Sequence, residues 1–214
     1  MDPVIVIGWA AALTATLLGL PQAVRLLRTR HVDGISLLSW QCLFVINIAW
    51  ASHGVLIEKL NMILPNLLAM SCTLPVLFLI AKGRGLRLSR VLLPPIGFAV
   101  LMIAVDVLFG TAAFGVVGIL PAIMSNAGQS VDLVRSPTID GVSGLFLVLT
   151  VLNQSLWLTW ALLVFEVGSM VTATVTGVVA VFNLVWWVLR RAGLPALFVA
   201  EPEASARAAG AGVA

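Results

Sequence analysis

Long apolar stretches separated by short polar segments make up almost the whole chain. A helix needs about 20 apolar residues to cross a bilayer, and uncharged tracts of that length cover residues 4–24, 35–57, 60–81, 141–165 and 167–189. Between residues 91 and 131 the only charged residue is Asp106, and the segment 110–115 divides this stretch into two further spans. The pattern therefore predicts an all-α membrane protein with seven transmembrane helices.

The composition agrees with this prediction and orients the helices. Apolar residues make up 61% of the chain and charged residues 10%, and the mean hydropathy is +1.11, which excludes a soluble globular domain. Lysine and arginine favour the cytoplasmic ends of membrane helices, so the N-terminus is predicted outside and the C-terminus in the cytoplasm. The basic residues predicted to be cytoplasmic are Arg25, Arg28, Arg30, Lys82, Arg84, Arg87, Arg90, Arg135, Arg190, Arg191 and Arg207. Only Lys59 falls outside, so topology explains the net charge of +3 without nucleic-acid binding.

Neither the termini nor the cysteines indicate other chemistry. The N-terminus lacks the basic start and short apolar core of a signal peptide, so the first helix is expected in the mature chain. Cys42 and Cys72 lie inside predicted spans, which argues against a disulfide framework or a metal site. No Ser-His-Asp, zinc or phosphate-loop pattern indicates an enzyme or a cofactor. Residues 192–214 are rich in Ala, Gly, Pro and Glu and are predicted to form a disordered cytoplasmic tail.

The chain contains an internal repeat with an offset of 107 residues. Within residues 21–36, the identical pairs at this offset are Gln22 and Gln129, Val24 and Val131, Leu26 and Leu133, Arg28 and Arg135, Asp33 and Asp140, Gly34 and Gly141, and Ser36 and Ser143. Four of these seven pairs are polar and one is glycine, so shared hydrophobicity does not account for them. The register continues to the pairs Asn47 and Gln154, Trp50 and Trp157, His53 and Trp160, and Gly54 and Ala161.

The repeat predicts two three-helix units joined by one helix. A copy of three helices placed directly after the first would be inverted, yet both repeated segments carry the cytoplasmic charge signal. One linker helix restores the orientation. We therefore expect a parallel 3+1+3 arrangement, with a first bundle at residues 1–82, a cytoplasmic loop and linker helix at 83–110, and a second bundle at 111–191.

The repeated segment also resembles a known family. LPQAVRLLRTRHVDGIS (residues 20–36) is similar to the PQ-loop signature of the SWEET, SemiSWEET and PQ-loop superfamily. WASHG (50–54) followed by LPNLL (64–68) is similar to a pattern of SWEET sugar carriers. The resemblance covers residues 4–190 and implies a carrier of small sugars, with parallel repeats and a substrate site between them near the middle of the membrane.

Prolines inside the helices are candidate gate elements. Proline inside a helix removes one backbone hydrogen bond. A membrane helix tolerates this loss where neighbouring helices or water satisfy the freed carbonyl. Pro21 is therefore a candidate hinge, and Gln22 can hydrogen-bond the loosened backbone; the alternative is a static kink. In the second repeat Gly128 replaces the proline beside Gln129, so Pro121 is the candidate bend there.

Two stripes of polar and aromatic residues are predicted to face each other between the repeats, because positions three apart share a helix face. One stripe is Asn47, Trp50 and His53, and its counterpart is Gln154, Trp157 and Trp160. Flat indole rings suit the apolar face of a sugar, and amides pair with hydroxyls. The resemblance to SWEETs implies that Trp50 and Trp157 stack on sugar. The alternative role for a tryptophan is an anchor at the bilayer interface.

Three further polar residues complete the predicted substrate site. The resemblance implies that Asn66 binds substrate hydroxyls, and the alternative is a helix–helix hydrogen bond. The second repeat has Ala173 at the equivalent position, so Thr174 and Asn153 are the candidates there. This asymmetry argues against strict glucose-type specificity.

Titratable residues bear on whether protons take part. His53 stands where the family has tyrosine, and a buried histidine either relays protons or serves as an ordinary hydrogen-bonding residue. Proton coupling usually also needs an intramembrane carboxylate, and Asp106 has no evident partner in the sequence, which favours facilitated diffusion. Two pairs of opposite charges recur at the cytoplasmic loops, Arg28 with Asp33 and Arg135 with Asp140. They either latch the inner gate in one state or are solvated charges that contribute little energy.

The leading prediction is a bidirectional carrier of mono- or disaccharides in the cell membrane that works by alternating access. NQSLWLTW (153–160) also resembles a motif of the PnuC vitamin transporters, so a nicotinamide riboside carrier is an alternative. A non-transporting receptor on the same scaffold is another. The expected partners are a small-molecule substrate and the lipid bilayer, and homo-oligomerisation is left open.

Overall fold

The computed structural model describes residues 2–30 and 35–197, which form seven α-helices and no strand. The helices are α1 (Pro3–Thr29), α2 (Leu37–Leu56), α3 (Leu60–Gly83), α4 (Leu88–Phe109), α5 (Thr111–Arg135), α6 (Gly144–Val164) and α7 (Val167–Arg191). The prediction of an all-α protein with seven helices is confirmed. Most of the predicted tail, residues 198–214, lies outside the described residues.

The helices have the length and composition of membrane spans. In the described residues, α1 and α3 to α7 are long and apolar enough to cross a bilayer. Helix α2 is also 20 residues long, but Gln41, Asn47 and His53 lower its hydropathy. The orientation of the chain, with its N-terminus outside, stays a prediction.

Polar side chains fix where helices begin. Ser36 and Ser143, which are equivalent in the repeat, cap α2 and α6. Their hydroxyl oxygens accept from the backbone N–H groups of Ser39 and Phe146 at 3.2 and 3.3 Å. Asp2 caps α1 in the same way. The repeat therefore reproduces the starts of the second helices as well as the sequence.

The two repeats form one ring of six helices. Around the ring, the pairs in contact are α1 with α3, α3 with α2, α2 with α5, α5 with α7, α7 with α6, and α6 with α1. Each contact has its counterpart when the repeats are exchanged. Helix α4 lies outside the ring against α2, α3 and α5. This is the parallel 3+1+3 arrangement expected from the repeat, with α4 as the linker helix.

Successive helices run in opposite directions, so the ring has two distinct faces. The N-terminal face contains the start of α1 and the turns α2–α3, α4–α5 and α6–α7. The opposite face contains the ends of α1, α3, α5 and α7. All lysines and arginines that the structure describes, except Lys59, lie towards the opposite face, the side predicted to be cytoplasmic.

Hydrophobic packing joins the two repeats at the N-terminal face. A cluster around buried Met62, Trp160 and Ala161 contains side chains from α1, α2, α3, α6 and α7. At the opposite face, the cluster that includes Leu26 and Trp40 contains side chains of the first repeat and α4. Among residues 2–30 and 35–197, no hydrophobic cluster joins the two repeats at the opposite face. The ring is therefore closed at the N-terminal face.

Candidate functional site

Trp50 and Trp157 converge inside the ring. Both half-buried indoles pack against the cluster that contains Trp160. Trp50 contacts His53 and Phe114 edge-on, with ring centroids 5.5 and 4.9 Å apart. Trp157 contacts Trp160 edge-on at 5.7 Å. The structure thus brings the equivalent indoles of the two repeats to one region, and their contact with a substrate stays a prediction.

Two of the predicted amides join neighbouring helices within each repeat. Asn47 donates to the hydroxyl of Thr73 at 3.0 Å, which ties α2 to α3. Its equivalent, Gln154, accepts from the hydroxyl of Thr176 at 2.8 Å, which ties α6 to α7. Both amides therefore lie on the side of their helix that faces the third helix of the same repeat, α3 or α7.

The other predicted polar residues have different surroundings. Asn153 is buried and donates to the Ala11 carbonyl at 2.8 Å and to the Thr14 hydroxyl at 2.7 Å, so it ties α6 to α1. Half-buried Asn66 and exposed Thr174 each donate to a carbonyl one turn earlier in their own helix, both at 2.7 Å. In this conformation Asn153 is therefore a contact between the repeats, whereas Asn66 and Thr174 have no partner on another helix among the described residues.

His53 has partners that the sequence did not reveal. Its Nδ1 lies 2.6 Å from Oδ2 of Asp106, and its ring stacks on Phe114 with centroids 4.5 Å apart and planes 14° apart. The expectation that Asp106 has no partner is wrong. Helix α4 packs against α2, and this contact places the carboxylate of the linker helix beside the histidine of the first repeat.

Glu166, in the turn between α6 and α7, is a site residue that the sequence reasoning missed. It caps α7 by accepting from the N–H groups of Gly168 at 2.9 Å and Ser169 at 2.5 Å, and it accepts from the Thr111 hydroxyl. Its Oε1 also lies 3.3 Å from His53 Nε2, within ion-pair distance but outside hydrogen-bond geometry. Burial opposes the charge of Glu166, but contact with His53 and the hydrogen bonds outweigh burial and lower its pKa to about 2.

Equivalent glycines allow the close approach at this face. A Cβ on Gly8 would lie 2.6 Å from the amide nitrogen of Asn61 and 2.7 Å from the indole nitrogen of Trp160. A Cβ on its equivalent, Gly115, would lie 2.4 Å from the backbone oxygen of Gly168. The first helix of each repeat therefore packs against its neighbours through a position without a side chain.

The predicted gate residues lie in unbroken helices. Helix α1 continues through Pro21 to Thr29, and α5 continues through Pro121 to Arg135. Pro21 and Gln22 are exposed, Gln129 is half-buried and Pro121 is buried. Within the described part of the chain Gln22 makes no side-chain hydrogen bond, so its expected bond to the loosened backbone is not formed. The hinge role of these residues stays a prediction.

One predicted charge pair is wrong and the other is not described. Asp140 lies 3.7 Å from Arg191 instead of pairing with Arg135, and both paired side chains are largely exposed, so the interaction is weak. Asp33, the predicted partner of Arg28, lies outside the described residues. A surface depression of about 410 Å³ beside Asp140 is lined by residues 137–140, 190–191 and 193–196, and none of the predicted substrate-binding residues lines it.

Comparisons with known proteins agree with this architecture. Residues 4–56 match the family model of the PQ loop repeat. The sugar transporter SemiSWEET of Escherichia coli (strain UMEA 3162-1) is 27% identical over 84 residues, which are 39% of this chain and 94% of that relative. The solved structure of a eukaryotic SWEET transporter shares the fold with a TM-score of 0.66 and 14% identity, over 89% of this chain and 99% of that chain. The comparisons confirm the resemblance to the SWEET, SemiSWEET and PQ-loop superfamily, and the chain is a multi-pass membrane protein.

Proposed function

We propose that the protein is a SWEET-like carrier that moves small sugars across the cell membrane by facilitated diffusion. The sequence relative is named a sugar transporter and the structural relative a SWEET transporter. The observation that carries the proposal is the convergence of the equivalent residues Trp50 and Trp157 inside a ring built from both repeats. Indole faces suit the apolar side of a sugar ring, and the nearby amides Asn47 and Gln154 suit its hydroxyls.

The asymmetry between the two faces supports alternating access. The cluster around Trp160 closes the ring at the N-terminal face, and the repeats lack such a cluster at the opposite face among the described residues. Rocking of one bundle against the other about the α1–α6 and α2–α5 contacts exchanges the closed and open faces. Pro21 and Pro121 remove one backbone hydrogen bond each from α1 and α5, so these helices bend at lower cost.

The position of the other predicted residues is consistent with this scheme. Asn66 and Thr174 lie in the third helices of the two repeats, and neither is held by another helix in the described residues. They are therefore available to sugar hydroxyls once the cluster opens. Asn153 lies at the α1–α6 contact and acts as a pivot between the bundles.

Counterflow in proteoliposomes tests the substrate class. Vesicles are loaded with unlabelled glucose, sucrose or nicotinamide riboside, and the entry of the same labelled compound is followed. The proposal predicts transient accumulation of labelled glucose or sucrose, with no concentration of sugar when only a pH gradient is imposed. Accumulation of nicotinamide riboside alone would favour a PnuC-like carrier, and no movement of any of the three by monodisperse protein would contradict transport of small sugars.

A further inference from the structure

Three buried titratable side chains connect three separate parts of the molecule. His53 belongs to the first repeat, Asp106 to the linker helix, and Glu166 to the second repeat. The two ring nitrogens of His53 lie 2.6 Å from Asp106 and 3.3 Å from Glu166. The three residues are 1%, 8% and 7% exposed, so water screens their charges poorly. The group therefore spans the contact between the repeats at the closed face.

The strength of this connection depends on one proton. An ionised carboxylate only accepts hydrogen bonds, so His53 satisfies both carboxylates only when both of its ring nitrogens carry hydrogen. A neutral ring has one hydrogen. If Nδ1 donates to Asp106, the lone pair of Nε2 then faces the carboxylate of Glu166, and the two groups repel each other.

Within residues 2–30 and 35–197, the only titratable side chains paired with His53 are Asp106 and Glu166. Helix α5 contributes the stacked ring of Phe114, and α2 itself contributes the edge of Trp50. No titratable residue occurs in the parts of α3, α5, α6 and α7 that lie at the same face. These parts are residues 60–70, 111–121, 155–165 and 167–177. The remaining charges of this face, Asp2, Glu58 and Lys59, lie in its terminus and the α2–α3 turn.

We propose that His53, Asp106 and Glu166 form a proton-binding site that locks the N-terminal face when His53 binds its second ring proton. Hydrogen bonds from Gly168, Ser169 and Thr111 satisfy the oxygens of an ionised Glu166, so the titrating partner in this contact is the histidine. The lock is complete at acidic pH and is released as the pH rises. Loss of the proton removes the attraction between the repeats, so pH changes the rate of exchange and not the final ratio of substrate. The inference rests on the proposed alternating access.

A distance measurement between the repeats tests the lock without any substrate. Spin labels are placed at Glu58→Cys and Phe165→Cys, in a chain with Cys42→Ala and Cys72→Ala. The two labelled positions are equivalent in the repeat, exposed, and have φ angles of 55° and 56°. They lie in the α2–α3 and α6–α7 turns, so their separation reports the opening of this face. The distance measurement needs no sugar, so it tests the lock independently of the counterflow test for sugar transport.

The expected result is a single short distance near about pH 5.5 and an added longer distance near about pH 8.5, with the ratio of open to closed changing about fivefold or more. His53→Gln should abolish this response, because glutamine does not titrate. His31→Gln, at the only other histidine of the chain, should retain it. The proposal would be overturned if the distance between the labels in the wild type did not change with pH, or if His53→Gln kept the wild-type pH response.

Glu166→Gln provides a second variant if His53→Gln does not fold. Glutamine keeps an oxygen that can cap α7 but lacks the charge that attracts the protonated ring. The closed population at acidic pH should therefore fall about fivefold. A closed population equal to the wild type would overturn the proposal. In the transport assay, the exchange rate should rise with pH in the wild type and stay constant in His53→Gln.

Discussion

His53 and Trp160 occupy equivalent positions in the two repeats, and both are almost fully buried, at 1% and 2% exposed. Each lies beside the first helix of the other repeat. The indole of Trp160 fills the space next to Gly8 of α1, and the imidazole of His53 stacks on Phe114 of α5. The two repeats therefore close the N-terminal face with the same geometry and different chemistry, an apolar ring on one side and a titratable ring on the other.

Gly115→Ala should destabilise the protein, because the new Cβ would lie 2.4 Å from a backbone oxygen of Gly168 that a side-chain rotation cannot move. We expect the free energy of unfolding to fall by about 2 kcal/mol or more. The measurement is the temperature above which the protein in detergent is no longer monodisperse, which should be lower in the variant. Gly128→Ala, in the same helix, is the control, since nothing lies within 4 Å of its Cβ. It should be neutral or stabilise α5 by about 0.5–1 kcal/mol. Equal losses in both variants would contradict the close α5–α7 contact.

Asn153→Ala should weaken the contact between the repeats at α1 and α6. The change removes hydrogen bonds to Ala11 and Thr14, and the expected loss is about 1–3 kcal/mol in the same thermal assay. Ser155→Ala is the matched control on α6, because the exposed Ser155 hydroxyl bonds only the carbonyl of Val151 in its own helix. Equal melting temperatures of the two variants would show that Asn153 does not stabilise the contact between the repeats.

Pro21→Ala should slow exchange without lowering stability. Alanine restores the missing backbone hydrogen bond and stiffens α1 near the opposite face, so the bend that opens this face costs more. A fall of about threefold or more in the exchange rate is expected. Pro94→Ala is the control, since Pro94 is an exposed interior proline of α4, outside the ring. Normal exchange in Pro21→Ala would leave Pro21 as a static feature of the helix.

Glu166 should contribute to stability in a pH-dependent way. Burial opposes its charge, but its contacts with His53, Ser169 and Thr111 prevail and lower the pKa from 4.5 to about 2. A carboxyl whose pKa is lower in the folded state stabilises the fold above its unfolded pKa, and this stabilisation is lost as the pH falls from about 4.5 towards 2. The melting temperature of the wild type should therefore drop more between pH 5.5 and pH 3 than that of Glu166→Gln.

The control for this titration is Glu58→Gln, which removes an exposed carboxyl of the same face. Its melting temperatures should follow the wild-type curve over the whole range. Parallel curves for the wild type and Glu166→Gln would show that the charge of Glu166 does not stabilise the fold.

The repeat made much of the fold predictable. Ser36 and Ser143 recur at the same offset and cap equivalent helices, and the same offset brings Trp50 and Trp157 to one cluster. Asp106 was misjudged because it lies in the linker helix, which has no counterpart in the repeat to reveal its neighbour. Its distance to His53 depends on how α4 packs against α2, and a single sequence does not encode that contact in any local pattern.

Glu166 was missed for a related reason. It lies in a turn between two apolar tracts, and the equivalent position of the first repeat holds Lys59, so the repeat gives no hint of a shared role. A negative charge directly before Val167 suits the N-terminal end of α7. This preference agrees with the bonds to Gly168 and Ser169, but the contact with His53 requires the packing of the two repeats.

Exchange of labelled glucose or sucrose by Trp50→Ala and Trp157→Ala in proteoliposomes tests directly whether sugar binds between the repeats. Each variant removes one ring from the proposed site, and losing a stacking contact of roughly 1 kcal/mol should slow exchange about fivefold. Trp9→Ala is the control, because Trp9 is 43% exposed on α1. Exchange should be slow in the first two variants and should proceed at the wild-type rate in the third. Wild-type rates in well-folded Trp50→Ala and Trp157→Ala would contradict a sugar site between the repeats.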